Sequence, residues 1–273
     1  MVPIVLRRSR VERASRSSRV TISAPPSSSL ASALPSSARP VLAPLADSRN
    51  TFVKLGTTVL VLPMRHSLPL AKELATLQNF SEGRLILGAG SGWLKEAFAA
   101  LGVPFEERGR RLDEGIAMMR AVWSQDPVTF ESRYIPAVIE GMTMTPMPVS
   151  PIPIRFGGSA EPALRRTIRI GDGWHGSGFT AEKAAPIVKR LRAARPGADF
   201  TISMRVQWDG IDRGVLRALV DGYAAIGVDH LLVAPQDRNV DDWEKVTEGV
   251  GGLVGWGRAA GAPGNCGGTN IFS

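Results

Sequence analysis

Residues 83–93 read Gly83-Arg84-Leu85-Ile86-Leu87-Gly88-Ala89-Gly90-Ser91-Gly92-Trp93. Arg84–Leu87 has strand character, and the glycines at positions 88, 90 and 92 end it. Glycine at alternate positions implies a crest where side chains would obstruct something flat or bulky. A tight strand-to-helix turn is the other reading. The spacing is G-x-G-x-G and lacks the G-x-G-x-x-G of dinucleotide folds, so no Rossmann motif is read.

Working upstream, Pro69 opens a helix at a position that tolerates proline, with Leu70, Leu74 and Leu77 as its apolar stripe. Before it, Val53–Leu62 is aliphatic and β-branched, stops at Pro63 and reads as a buried strand. Downstream, a long helix carries Leu112, Ile116, Met119 and Trp123 on one face and ends before Pro127. Ile152–Phe156 is a short strand closed by Gly157-Gly158, and Pro162 starts a helix with Leu164 and Ile168 inward. Gly173–His175 reads as a strand end, Ala181–Ala194 as a helix, Phe200–Val206 as a strand and Ile211–Ile226 as a helix. His230–Val233 is a strand, with a helix over Asp241–Val250. Strand and helix thus alternate six times, which argues for a parallel sheet covered by helices. A closed barrel takes eight such units, and the shortfall lies at the N-terminus.

That N-terminus has a different texture. Residues 1–50 hold twelve Ser, six Pro and eight Arg, with only Glu12 and Asp47 as acids. They carry most of the chain's formal charge of +8, so the body is close to neutral and is not a polyanion binder; no nucleic-acid partner is expected. Val2–Leu6 could supply one strand, and no second strand is legible there. A disordered extension, an organelle transit peptide, and a misplaced start or shifted reading frame all fit this composition. The domain reading is a 1–50 Ser/Arg/Pro-rich segment foreign to the fold, a 51–256 barrel and a flexible 257–273 tail. Cys266 is the single cysteine, so no disulfide forms within the chain, as suits a cytoplasmic protein. No apolar run is long enough for a membrane span.

In a sheet of this kind ligands bind beyond the carboxyl ends of the strands. Gly157-Gly158-Ser159 before a helix reads either as a phosphate site, with Arg165 and Arg166 one turn on, or as a plain turn. Arg65 and His66 follow the first strand, and Trp174-His175 ends another and could line a pocket. Met142, Met144 and Met147 sit in a Pro-rich loop and serve packing; the loop between Phe130 and Pro151 shapes the substrate pocket. His66, His175 and His230 match no metal pattern, and neither Gly90-Ser91-Gly92 nor Gly176-Ser177-Gly178 makes a nucleophile elbow. A bound organic cofactor would then have to supply the reactivity.

Taken jointly, several segments resemble a known family. They are Leu55-Gly56-Thr57-Thr58-Val59-Leu60, the helix Leu70–Leu77 with residues 83–93, the stretch Phe98–Arg111, Pro153–Ser159, Ala163–Arg166 and Gly171–Trp174. Over about residues 51–250 the chain is similar to luciferase-like monooxygenases, and most to the coenzyme F420-dependent oxidoreductase subgroup. The resemblance implies an α/β fold, a TIM-type (β/α) barrel of the bacterial luciferase-like type, here lacking a recognisable first and second strand. It implies F420, or alternatively FMN, at the barrel mouth, and hydride transfer to or from a small organic substrate. Thr58 and Val59 would match the bulge, often a non-prolyl cis peptide, that props the ring. Gly90 and Ser91 would line the cofactor face, and Gly157, Gly158 and Ser159 would receive the phosphate. Nothing in residues 1–50 matches the family's first two strands, so no catalytic acid or base is transferred. An FMN monooxygenase and a truncated, non-catalytic barrel remnant remain the alternatives, and a homodimer is a possible assembly.

Overall fold

The computed structural model describes residues 3–6, 19–23, 53–135, 138–236 and 240–253. The reading of residues 257–273 as a tail, with Cys266, lies outside the described residues, as does most of the 1–50 segment. In chain order the strands are β1 (Pro3–Leu6), β2 (Arg19–Ser23), β3 (Val53–Gly56), β4 (Leu60–Val61), β5 (Leu85–Gly90), β6 (Val128–Glu131), β7 (Val138–Met142), β8 (Ile154–Gly157), β9 (Gly173–Ser177), β10 (Thr201–Trp208) and β11 (His230–Pro235). The helices are α1 (Ser67–Phe80), α2 (Lys95–Ala100), α3 (Arg108–Ser124), α4 (Glu161–Ile170), α5 (Ala181–Ala194), α6 (Arg213–Ala225) and α7 (Val240–Leu253). The chain divides into two compact units, Thr57–Gly173 and the pair of segments Met1–Gly56 and Trp174–Ser273.

In the unit Thr57–Gly173, β4, β5 and β8 run parallel, with Leu60 opposite Ala89 and Leu87 opposite Ile154. Every residue of β5 is buried, which is why it reads as an unbroken apolar run without alternation. Leu70, Ala71, Leu74 and Ala75 of α1, and Leu112, Ile116, Met118, Met119 and Val122 of α3, are all buried, with α1 and α3 packed on each other. Each such Leu, Ile, Met or Val side chain contributes about 1.5–3 kcal/mol by leaving water. The Trp123 indole N–H donates to the Ala71 carbonyl at 2.9 Å and ties α3 to α1.

Three expectations for this unit need correction. The strand read over Val53–Leu62 is broken: β3 ends at Gly56, β4 begins at Leu60, and a 3-10 turn covers Leu62–Met64. The break has a cause in Thr57, whose hydroxyl donates to the Gly88 carbonyl at 2.7 Å and accepts the Gly88 N–H at 3.0 Å. The strand read as Arg84–Leu87 instead runs on through Gly88-Ala89-Gly90. The stretch between Phe130 and Pro151, read as a loop, holds the end of β6 and all of β7, which pair as an antiparallel hairpin with Phe130 opposite Ile139.

In the other unit, β10 and β11 pair in parallel over six residue pairs, and Trp174, Met204, Trp208 and Val233 are buried beneath the helices. The Gly249 position of α7 lies against the Trp208 ring, where a Cβ would come within 2.3 Å. The N-terminal stretch holds two strands where the sequence offered one. β2 runs parallel to β11, while β1 runs antiparallel to both β2 and β3. β2 therefore has the sense of a repeating strand–helix unit and β1 does not. Arg19-Val20-Thr21-Ile22-Ser23 does alternate polar and apolar, but over a stretch too short to read as a strand unaided.

One device recurs, once in each unit. The Asp172 N–H donates to the Ile154 carbonyl at 2.8 Å, and its carboxylate accepts the Ile154 N–H at 2.9 Å and Arg120 at 3.2 Å. The Asp229 N–H likewise donates to the Ile202 carbonyl at 2.8 Å, and its carboxylate accepts the Ile202 N–H at 2.7 Å and a proton of Arg192. Asp172 follows the helix end Ile170-Gly171 directly, Asp229 follows Ile226-Gly227 after one intervening residue just past α6, and each closes a backbone ring at the foot of a strand.

Candidate cofactor site

The alternate glycines at 88, 90 and 92 face alternate residues of the neighbouring segment 57–61. A Cβ on Gly88 would lie 1.8 Å from the Thr57 carbonyl oxygen, one on Gly90 2.7 Å from Val59 Cγ2, and one on Gly92 2.7 Å from Val61 Cγ1. What these glycines make room for is thus the protein's own neighbouring segment, residues 57–61, which spans the break between β3 and β4. Positions 57, 59 and 61 press into the gaps left at 88, 90 and 92.

The consequence falls on Val59. A Cβ on Gly157, at the end of β8, would lie 2.9 Å from Val59 Cγ1 and 3.3 Å from Cγ2. The Val59 side chain is therefore wedged between the carboxyl ends of β5 and β8, and remains half-buried. The Thr58–Val59 peptide is cis. Thr58 and Ser91 are also half-buried, and Trp93, just past the crest, is 83% exposed. Of the expected cofactor residues, Val59, Gly90 and Gly157 are in mutual reach by this geometry.

Gly158 and Ser159 are exposed before α4, and Gly158 has φ +100, a conformation that favours glycine. Near its Cβ position lies only Ala163 Cβ, at 3.1 Å. Backbone N–H groups at the start of a helix favour an anion. Of the two arginines read as helpers, Arg166 turns elsewhere. Arg166 is buried and donates to Asp113 at 2.5 Å and to the Gly109 carbonyl at 3.0 Å, which ties α4 to α3. Arg165 is exposed and lies 3.9 Å from Glu161. The spacing of one helical turn could not tell which side of α4 each would take.

The histidines act locally. His66 is exposed and caps α1, its Nδ1 accepting the Leu68 N–H at 3.4 Å. Within its own unit, His175 is buried with Nδ1 3.0 Å from the Ser203 hydroxyl. That hydroxyl spends its one proton on the Trp174 carbonyl at 3.1 Å, so Nδ1 is the donor to Ser203. Among the described residues no group of three His, Cys, Asp or Glu is placed to hold a metal ion, and no helix is long and apolar enough to cross a membrane.

The sequence reading missed Glu114. Its carboxylate accepts the Ser132 hydroxyl at 2.5 Å, the Arg133 N–H at 3.0 Å and the Tyr134 N–H at 2.7 Å, fixing the tip of the β6–β7 hairpin to α3. Burial alone would raise its pKa, but the Ser132 hydroxyl and the backbone N–H groups outweigh it and hold the carboxyl below its ordinary value. No local pattern signals this, because Glu114 and Ser132 lie eighteen residues apart.

The residues present fit a flat ring with an anionic arm. Val59 offers a ledge that cannot sink, and the exposed Gly158–Ser159 backbone lies at the end of a strand adjoining it. The sequence profile of the luciferase-like monooxygenases matches residues 26–228. An uncharacterized protein of Mycobacterium tuberculosis is 31% identical over 193 residues, 71% of this chain and 62% of that protein. An F420-dependent glucose-6-phosphate dehydrogenase of Intrasporangium calvum is 32% identical over 212 residues, 72% of this chain and 61% of that one. The chain thus spans about three fifths of the length of these relatives. Among solved structures, a monooxygenase from Streptomyces bottropensis matches with a TM-score of 0.62 at 20% identity, over 75% of this chain and 79% of that one. An F420-dependent secondary alcohol dehydrogenase, held with an F420–acetone adduct, matches with a TM-score of 0.57 at 14% identity, over 71% and 77%.

Proposed function

The chain belongs to the luciferase-like monooxygenase family, and from that premise we propose that it is an oxidoreductase using the deazaflavin F420 for hydride transfer to or from a small organic substrate, on a TIM-type (β/α) barrel. The observation that carries this reading is the wedged Val59, held between Gly90 and Gly157 at adjoining strand ends. The relatives named for F420-dependent dehydrogenation, at about the same identity, support the choice of cofactor.

When bound, the deazaflavin supplies the hydride-carrying ring. The chain's own part is support and orientation. Val59 cannot retreat, because the glycines behind it leave space for its methyl groups and no more. Val59 would hold a ring placed against it from sinking between the strands, which is the positional contribution an enzyme makes to a transfer step. Gly158 and Ser159 would receive the phosphorylated arm, through backbone N–H groups and the Ser159 hydroxyl. Thr58 and Ser91 would border the ring. We assign no acid or base.

The test is an equilibrium titration of the purified full-length chain with F420 and, separately, with FMN, followed by absorbance and fluorescence. Saturable F420 binding with weaker FMN binding is expected. Binding of neither defeats the reading and favours a non-catalytic remnant. The likeness to a monooxygenase structure gives FMN-dependent oxygenation a specific claim. A protein that purifies yellow and binds FMN the more tightly decides for it.

A further inference from the structure

The tip of the β6–β7 hairpin brings two cations to one aromatic ring. The Arg110 guanidinium carbon lies 5.4 Å from the Tyr134 ring centroid, and that of Arg133 lies 5.7 Å from the same centroid. Arg110 also donates to the Tyr134 hydroxyl at 3.0 Å. Both arginines are exposed, and neither has a carboxylate partner among the described residues.

The acids that could neutralise them are engaged elsewhere or stand apart. On the α3 side of Arg110, Glu106 lies 3.9 Å from Lys95, and Glu107 pairs with Arg111 at 2.9 Å. Glu114, one turn on, is taken up by Ser132 and the backbone N–H groups of the hairpin tip. Glu131 is exposed and forms no ion pair among the described residues. The remaining neighbour, Arg108, is cationic, stacks on Phe105 at 3.8 Å and donates to its carbonyl. A helical arginine thus passes over the acids at its own i−4 and i+4 positions and reaches an uncharged phenol. Both charges are held at one ring without a counter-anion. The Glu114 hydrogen bonds, with Ile135 buried beside Gly115, fix the segment that carries Arg133 and Tyr134. The geometry is therefore preorganised, which lowers the cost of binding.

Although the near-neutral body is no general binder of polyanions, we propose that Arg110, Arg133 and Tyr134 form a local binding site for a small, multiply charged anion, a polyphosphate or a polycarboxylate. The guanidinium groups supply charge-assisted donors, and the Tyr134 hydroxyl, whose oxygen accepts from Arg110, has its own proton to give. A single charge would satisfy one guanidinium and leave the other as it was, so the fitting ligand carries at least two. The site stands on α3 and its hairpin and requires no redox cofactor.

The experiment uses the full-length chain labelled with 3-fluorotyrosine. The chain contains only two tyrosines, so fluorine NMR gives two resonances. Tyr223 is buried with its hydroxyl bonded to the Phe179 carbonyl and serves as the internal reference. Tyr134→Phe assigns the signals. Tripolyphosphate and citrate are titrated separately against sodium chloride of equal ionic strength. A saturable shift of the Tyr134 signal with either polyanion, and not with chloride, is expected, and the two titrations separate a phosphate from a carboxylate source. Arg110→Gln and Arg133→Gln each weaken binding at least about fivefold, and the double variant abolishes it, with an unmoved Tyr223 signal and an unchanged far-ultraviolet circular dichroism spectrum as the signs of an intact fold. An unmoved Tyr134 signal, an equal shift with chloride, or unchanged titrations of the variants overturns the proposal. Should a glutamine variant disturb the Tyr223 signal, Arg110→Lys and Arg133→Lys replace it. Retained binding with the charges kept supports the site, and its loss with an intact Tyr223 signal counts against charge as its basis.

Discussion

Replacing Gly88 by alanine puts a methyl group where the Thr57 backbone already lies. The new Cβ falls 1.8 Å from the Thr57 carbonyl oxygen and 2.9 Å from its carbon, where real Cβ atoms stay beyond 3.0 Å. Backbone cannot swing aside as a side-chain tip can, so Thr57 and Gly88 must separate by more than about an ångström. Three hydrogen bonds span that gap: Thr57 Oγ1 to the Gly88 carbonyl at 2.7 Å, the Gly88 N–H to Thr57 Oγ1 at 3.0 Å, and the Thr57 N–H to the Ile86 carbonyl at 3.3 Å. Their loss costs about 0.5–1.5 kcal/mol each, and overpacking adds about 1–3 kcal/mol. A total of about 3–7 kcal/mol is a large part of the 5–15 kcal/mol that typically holds a domain together. The assay is urea unfolding followed by far-ultraviolet circular dichroism, read as the transition midpoint. Gly222→Ala is the control, since its Cβ meets only Ala181 Cβ at 3.9 Å inside α6, and a gain of about 0.5–1 kcal/mol is expected. F420 binding should fall with Gly88→Ala even where the fold survives, because Val59 lies two residues beyond the displaced Thr57. A Gly88→Ala midpoint equal to that of the unaltered protein would refute the crossed-strand account of the glycine crest.

Other expectations follow from the same geometry. In Gly90→Ala the new methyl meets the Val59 side chain at 2.7 Å, so the loss should be partly restored in Gly90→Ala/Val59→Ala; a double-mutant cycle in F420 affinity measures the coupling, and strict additivity refutes the contact. Asp229→Ala removes the acceptor for the Ile202 N–H and for Arg192, and should cost about 1–3 kcal/mol in urea unfolding; Asp172→Ala, with the same arrangement, should match it. Glu114 has its carboxyl held below the ordinary value of 4.5 in the folded state, so its contribution is present above that pH and lost as pH falls below it. The midpoint gap between the unaltered chain and Glu114→Gln should therefore be constant near neutrality and close below about pH 4.5; a gap that widens on acidification counts against the assignment.

Much of the alternation was legible locally. Helices such as Ala181–Ala194 announce themselves by apolar spacing and by flanking Thr180, whose hydroxyl accepts the Lys183 N–H at 3.4 Å as an N-cap. The short strands ending at Phe156 and Val233 were legible as apolar runs bounded by Gly and Pro or Gln, within a residue or two of the observed ends. The hairpin β6–β7 was not, because Pro136 and Gly141 interrupt its segments and make them read as loop. Nor was the second N-terminal strand, whose pairing with β11 joins residues more than two hundred positions apart.

The sequence by itself determined the succession of strand and helix, the placement of glycines at strand ends and the separation of a basic N-terminal segment from a near-neutral body. All are properties of a residue and its near neighbours: periodicity, backbone freedom and charge. Only the tertiary structure decided what the glycines leave room for. Gly88 and Thr57 stand thirty-one residues apart, and no local rule says that the segment between two strands, with Val59 on its crest, fills the space a missing Cβ leaves. It also decided that Arg166 turns to Asp113 while Arg110 and Arg133 share a ring without a carboxylate. The partner of a long charged side chain is set by which elements pack against it, and packing is a property of the whole chain.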